Sequence, residues 1–431
     1  TGQLYLAMEW LDGEDLAARI ARAPLSAAEA VTVSLRVAAA LGAAHARGIV
    51  HRDLKPANVF LQDGRPERAT LLDFGIALLR RDAPRATQAG FLLGTPGYMA
   101  PEQVRGESAI DARADVFALG CVLFELLAGR PVFEGEHVMA VLAKVLIERP
   151  ARLLELRSDL PEELDALVDR MLAKEPHARP QDGHEAEAAL AAIAARMTAG
   201  AGPLAAHATA RPPALTNAEQ RVLSIVLLGA REAPPAQGLS EDARATIAIE
   251  DAVQIAAATH AGRLEPLADG SSLVSWAGAG AAADQAAAAA HCALRLRELV
   301  AAGVPVVVAT GRGVAGERTS EIIDRAVALL KVAESGSGVV VDEVTSALLA
   351  LRFEVTGDGA ARTLVRALGA GEGGRKLLGR ATPFVGRERE LAMLEGLHAA
   401  CVSEPSAQAA VVKAAAGAGK SRLRQEPLAR I

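Results

Sequence analysis

The sequence predicts a multidomain chain: a mainly helical first domain, an α/β second domain, and the opening of a third, α/β module. Three observations carry this. Up to residue 196 helical spacing of apolar residues dominates, as in "DVFALGCVLFELLAG", "EHVMAVLAKVLIE", "PEELDALVDRMLA" and "GHEAEAALAAIAARM". From residue 217 strand-like runs alternate with helical ones, the habit of an α/β layer. Between them "TAGAGPLAAHATARPPALT" is rich in Ala, Gly and Pro and has no period, as expected of a linker. A chain of 431 residues has room for about two to four domains. The expected boundaries are 1–196 for the first domain, 197–216 for the linker and 217–355 for the second domain. A Gly-rich connection at 356–382 follows, then the third module at 383–431.

The elements follow in order. "QLYLAMEWL" (3–11) alternates as a strand, and Asp12-Gly13 reads as its turn. Residues 24–48 are a helix: Ser26 and Glu29 make a capping box, and Gly48 stands where a helix-ending glycine belongs. Short strands and loops reach to about residue 102. In the second domain "RVLSIVLLG", "VPVVVAT" and "GVVVDEV" are strands, and "DQAAAAAHCALRLRELV" and "DRAVALLKVAES" are helices.

The chain is 51% hydrophobic and 23% charged, as soluble globular proteins are. Its 46 basic and 52 acidic residues give a formal charge of −6, with no footprint for nucleic acid or an anionic membrane. Cys121, Cys292 and Cys401 are too scattered for a metal knuckle or a disulfide framework, which implies a reducing cytoplasm. No uninterrupted apolar stretch approaches the roughly 18 residues of a membrane span, and no signal peptide is visible. The chain starts at Thr1 inside a strand-like run, so it is expected to be a fragment cut at both ends.

Chemistry concentrates in "IVHRDLKPANVFL" (49–61) and "LLDFG" (71–75). Phosphoryl transfer asks for an acceptor hydroxyl held in line, Mg²⁺ on the phosphates and compensation of charge. Asp53 can accept the hydroxyl proton, Lys55 can reach the transferred phosphate, Asn58 can ligate Mg²⁺, and Asp73 is a second metal carboxylate at a strand end. This set resembles the catalytic loop and metal motif of protein kinases. "GTPGYMAPE" (94–102) is similar to the family's substrate-binding segment.

The resemblance implies further roles. Glu102 would pair with Arg179, and Asp115 would anchor the catalytic loop from the long central helix. "AMEWL" resembles the hinge, with Met8 as gatekeeper, the backbone of Glu9 and Leu11 on adenine, and Asp15 on the ribose or, alternatively, at a helix N-terminus. Lys55 with Thr95 points to the serine/threonine class. Arg52 before Asp53 implies an activation segment ordered by phosphate, with Thr87 as acceptor and Thr95 as a positioning residue. The family fold here is the hinge and C-lobe, the cofactors are ATP and Mg²⁺, and the partners are protein substrates. The Gly-rich loop, strand Lys and helix Glu of the small lobe have no counterpart before residue 49. The fragment is therefore expected to be inactive and its full-length parent active. A pseudokinase-like scaffold, or a nucleotide cyclase or sensor, are the alternatives.

Residues 217–229, 262–276 and 316–345 resemble a class III nucleotide cyclase domain, which implies a ferredoxin-like fold. Of the two metal carboxylates of that family only Asp269 has a counterpart. Gly229, Asp324 and Ala328 stand where the other acid, the Asn and the Arg belong. The expectation is a degenerate cyclase fold used for self-association or regulation, with Asp269 a turn residue before Gly270. "TPFVGRERELAMLEGL" with "VVKAAAGAGKSRL" resembles the start of an AAA-type ATPase, whose P-loop would end in Gly419, Lys420 and Ser421.

Overall fold

The computed structural model describes residues 10–73, 95–199, 221–230, 242–278, 281–301, 303–313, 317–333, 338–369, 376–377, 380–381, 386–403, 409–413 and 423. The first domain opens with β1 (Gly13–Asp15), α1 (Leu16–Arg22), α2 (Ala27–His45), β2 (Val59–Gln62) and β3 (Ala69–Leu71), the three strands forming one antiparallel sheet in sequence order. It continues with α3 (Pro101–Val104), α4 (Ala112–Ala128), α5 (Val138–Ile147), α6 (Leu153–Leu156), α7 (Glu162–Met171) and α8 (Gly183–Thr198).

The predicted capping box is formed: Ser26 Oγ accepts from the Glu29 N–H and the Glu29 carboxylate accepts from the Ser26 N–H. Residues 1–9, most of the expected first strand, lie outside the described residues, and Trp10 and Leu11 are not in a strand. The turn expected at Asp12-Gly13 is instead a strand start. Gly13 has φ +143° and pairs with Gln62, and a Cβ there would stand 2.1 Å from the Leu61 carbonyl oxygen. Only glycine allows that approach.

α4 is buried around nearly its whole circumference and is wrapped by the rest of the domain, with Phe117, Leu119, Leu123 and Phe124 buried. α2 is long and apolar enough to cross a membrane by length and composition, the one such helix among the described residues, but half of that window is buried inside the fold. It packs against α4 and α8.

The second domain comprises β4 (Arg221–Leu228), α9 (Asp242–Thr259), β5 (Arg263–Pro266), β6 (Ser272–Gly278), α10 (Ala282–Leu299), β7 (Val306–Gly313), α11 (Glu317–Ala333), β8 (Val339–Asp342), α12 (Glu343–Leu349), β9 (Phe353–Thr356) and β10 (Ala361–Ala367). Its seven strands run β5-β6-β4-β7-β8-β10-β9, with β7 and β8 parallel and the other neighbours antiparallel. The sheet therefore runs past the boundary expected at residue 355: β10 pairs with β8 inside the stretch anticipated as a connection. This strand escapes recognition because "ARTLVRA" is half polar and buries only Leu364 fully. Beyond it stand the two-residue strands β11 (Lys376–Leu377) and β12 (Arg380–Ala381) and helix α13 (Glu388–Ser403).

β4 is apolar on both faces because both faces are covered. Val226 and Leu228, with Val306, Val308 and Val341, meet α10 through Ala290, Ala293 and Leu296. Leu223, Ile225 and Leu227, with Val307 and Ala309, meet Ile322, Ile323 and Ala326 of α11. This second cluster is continuous with the core of the first domain, since α11 packs on α5.

At that junction Glu148, just past α5, sits among Lys144, Lys174, Asp324 and Arg130, and its Oε2 has no hydrogen-bond partner among the described residues. Burial outweighs the nearby cations and pushes its carboxyl up to about 7. The fold holds this proton more tightly than the unfolded chain does. Stability from the site is therefore full below the ordinary Glu range and declines as pH rises through about 7. Glu148→Gln is expected to raise Tm at pH 8 while leaving it nearly unchanged at pH 5, a gain of order 2 kcal/mol. Thermal unfolding of both forms across pH checks it, and a gain equal at the two pH values would contradict it.

Candidate functional site

The site is built where the chain leaves α2 and loops back into β2. Its anchor is Asp115 in the first turn of α4, only 1% exposed. Oδ2 accepts from the His51 N–H (2.7 Å) and faces His45 Nε2 (2.9 Å), and Oδ1 accepts from the Arg52 N–H (2.8 Å). His45 Nδ1 accepts from the Gly183 N–H (3.0 Å), so the proton stands on Nε2 and is donated to Asp115. These bonds hold Arg52 at φ +67°, a conformation that costs a residue with a Cβ about 1–2 kcal/mol. Gln103 Nε2 donates to the Arg52 carbonyl (2.9 Å) and braces the same turn from α3.

Held this way, the next residues converge. Lys55 Nζ lies 2.9 Å from Asp53 Oδ2 and 3.0 Å from Thr95 Oγ1. The Thr95 N–H donates to Asp53 Oδ1 at 3.1 Å. Asn58 Nδ2 donates to the Asp53 carbonyl at 2.7 Å and lies 3.4 Å from Asp53 Oδ2, which leaves the Asn58 amide oxygen as the atom that can face a cation. Asp53 keeps its side chain 39% exposed, so an acceptor group from solvent can reach it.

Asp73 joins the site through backbone. The Leu72 N–H donates to the Asn58 carbonyl (2.8 Å). His51 Nδ1 accepts from the Asp53 N–H (3.3 Å), so its Nε2–H donates to the Leu72 carbonyl (2.9 Å). The exposed Asp73 follows at φ +57°. His51 and Gln103 join the site although the motifs of the sequence give them no role. The signal for His51 was its place before Arg52 and Asp53, and nothing local announces Gln103.

The remaining predicted residues fall as follows. Glu102 and Arg179, each 3% exposed, form a bidentate pair at 2.7 and 2.9 Å. Arg179 also donates to the carbonyls of Ala173, Lys174 and Arg113 and lies over the Phe117 ring. Asp15 caps α1, accepting from the Ala18 N–H at 2.8 Å, which is the helix-terminal one of its two expected roles. Leu11 is half-buried. Met8, Glu9, Thr87, Gly419, Lys420 and Ser421 lie outside the described residues. A cavity of about 320 Å³ beside Lys55 is lined by Ile20, Pro56, Tyr98 and Glu125. Tyr98 Oη donates to Glu125 at 2.6 Å, and burial pushes both groups up.

The family profile described as "Protein kinase domain" matches residues 1–192. "Serine/threonine-protein kinase pkn3" of Myxococcus xanthus is 38% identical over 200 residues, 44% of this chain and 36% of that protein. "Serine/threonine-protein kinase Pkn1" of the same organism is 44% identical over 177 residues, 41% of this chain and 25% of its own length. "Serine/threonine-protein kinase PknB" of Mycobacterium tuberculosis is 37% identical over 191 residues, 44% of this chain and 30% of its own. The chain thus spans about a third or less of the length of these relatives.

Asp115→Asn places an amide NH₂ against backbone N–H donors in a buried pocket. Denaturant unfolding is expected to show a loss of about 2–4 kcal/mol. Amide exchange at His51 and Arg52 should rise beyond the global change, and uniform acceleration would contradict the anchoring role.

Proposed function

We propose that the full-length parent of this chain, through the protein kinase domain that residues 1–192 match and of the bacterial serine/threonine type, transfers the γ-phosphoryl group of ATP to protein serine or threonine hydroxyls, the 431-residue piece by itself being inactive. The observation that carries this reading is the convergence of Lys55, Asn58 and Thr95 on the half-exposed carboxylate of Asp53. Asp53 orients the acceptor hydroxyl and takes its proton. Lys55, bridging Asp53 and Thr95 Oγ1, is free to swing its ammonium onto the transferred phosphate, while Thr95 keeps the substrate-side segment against the carboxylate.

The donor set fits Mg²⁺: an amide oxygen on Asn58 and an exposed carboxylate on Asp73 are hard oxygen ligands on loops joined by the Leu72 bonds. When bound, the ion would supply charge neutralisation on the phosphates. Arg52 supports a phosphate-ordered activation segment, because its buried Nε has no hydrogen-bond partner among the described residues. Thr87 is the proposed acceptor in that segment.

The second domain is proposed to be a degenerate cyclase fold without its own chemistry. A Cβ on Gly229 would stand 2.5 Å from the Pro305 ring, which leaves no room for an acid. Asp269 is spent on its own turn, accepting from the Ser271 N–H at 2.9 Å. Self-association through this domain, and the third module as only the start of an AAA-type ATPase that is not a working ATPase in this chain, belong to the same proposal.

In the full-length parent, with Mg-ATP and a basic protein substrate, Asp53→Asn is expected to lower kcat by about 10²–10⁴-fold while Tm stays near wild type. Radiolabel transfer to serine and threonine is the readout. An unchanged kcat, or label on another residue type, would overturn the assignment.

A further inference from the structure

The second domain does not merely sit beside the first; it grips α3. The Ala268 N–H donates to the Val104 carbonyl at 2.8 Å. Arg105, next along, places Nε 2.6 Å from Glu265 Oε2, and Glu265 is 4% exposed and also held by Arg263. Ser271 Oγ contacts Met139 Sδ at 3.5 Å. Farther along, Lys144 of α5, 3% exposed, reaches Asp324 of α11 at 2.8 Å and the Glu134 carbonyl. A buried Arg105–Glu265 pair, a second pair whose lysine is buried and whose Asp324 is half-exposed, and a backbone bond across one junction are features of a built interface, since Glu265 or Lys144 left there without its partner would be costly.

α3 also connects that interface to the loop that carries Asp53. Its four residues face three ways. Val104 meets Ala268 of the second domain, Glu102 is locked to Arg179, and Gln103 donates to the carbonyl of Arg52, the residue before Asp53. Gln103 Oε1 in turn accepts from the Ala100 N–H at 3.0 Å, so both ends of its amide are used. A side chain fixed at both ends transmits displacement, where one bonded at a single end would swivel.

We propose that the second domain is a cis-acting regulator of the kinase domain: its Leu267–Ser271 turn and α11, docked on α3 and α5, hold the catalytic loop in order through the Gln103–Arg52 bond. Release of the domain frees α3 and loosens residues 51–58. The sequence position at which the cyclase resemblance expects a ribose-steadying Asn is occupied by Asp324, and in this fold Asp324 serves the domain junction. The inference draws its meaning from the phosphotransfer reading, but its test does not depend on activity.

The experiment is amide hydrogen exchange on the 431-residue chain. Asp324→Lys opposes Lys144 from a half-exposed position on α11 and leaves the interior of the second domain intact. It should open the junction, seen as faster exchange at 263–271, and speed exchange at 51–58 roughly five- to tenfold. Glu265→Lys, facing Arg105 and Arg263, should do the same. Gln103→Leu should loosen 51–58 with the junction closed, and adding Asp324→Lys to it should change 51–58 no further. Opening of the junction with residues 51–58 unaffected would overturn the coupling. A junction unprotected in the wild type, or one that neither charge reversal opens, would overturn the docking. If Asp53→Asn left phosphotransfer intact, the catalytic reading would fail while the exchange results stood.

Discussion

One buried carboxylate organises the first domain. Asp115 receives hydrogen bonds from a histidine at the end of α2 and from two consecutive backbone N–H groups of the loop that follows. That histidine is itself bonded to the first residue of α8. A single negative charge thereby fixes three helices and one loop against each other. An unpaired carboxylate at that depth would be untenable, so the three donors and the charge require one another. The unusual backbone of Arg52 follows, because the two N–H groups can aim at one carboxylate only if the chain turns left-handed between them.

The acids of the first domain divide their labour by exposure. Asp115 and Glu102 are buried and saturated, and they shape the fold. Asp53 is surrounded by three partners yet remains open to solvent, as the proposed proton exchange with an arriving hydroxyl requires. Arg179 shows how saturation is reached: its donors meet Glu102 and three carbonyls, and its flat face covers Phe117.

The sequence was informative wherever the chemistry is local. The Ser26/Glu29 box, the apolar period of α4 and the offsets from Asp53 to Asn58 all depend on neighbours within a few residues, and each is found. It was uninformative where a partner is distant. The strand at Gly13 is set by the Leu61 carbonyl approaching from β2. The membership of β10 in the sheet depends on β8, and its half-polar pattern resembles a connection when read alone. Asp15 satisfied two local descriptions equally, and only the bond from Ala18 separates them. The contact of Asp324 with Lys144 joins positions 180 residues apart, and no periodicity announces it.

The continuity of the apolar cluster from α4 through α5 to α11 and β4 bears on how this chain can be dissected. Cutting in the Ala- and Gly-rich stretch after α8 would separate two pieces that each carry a greasy, uncovered flank lined with stranded charges. Such halves would be prone to stick to one another or to themselves.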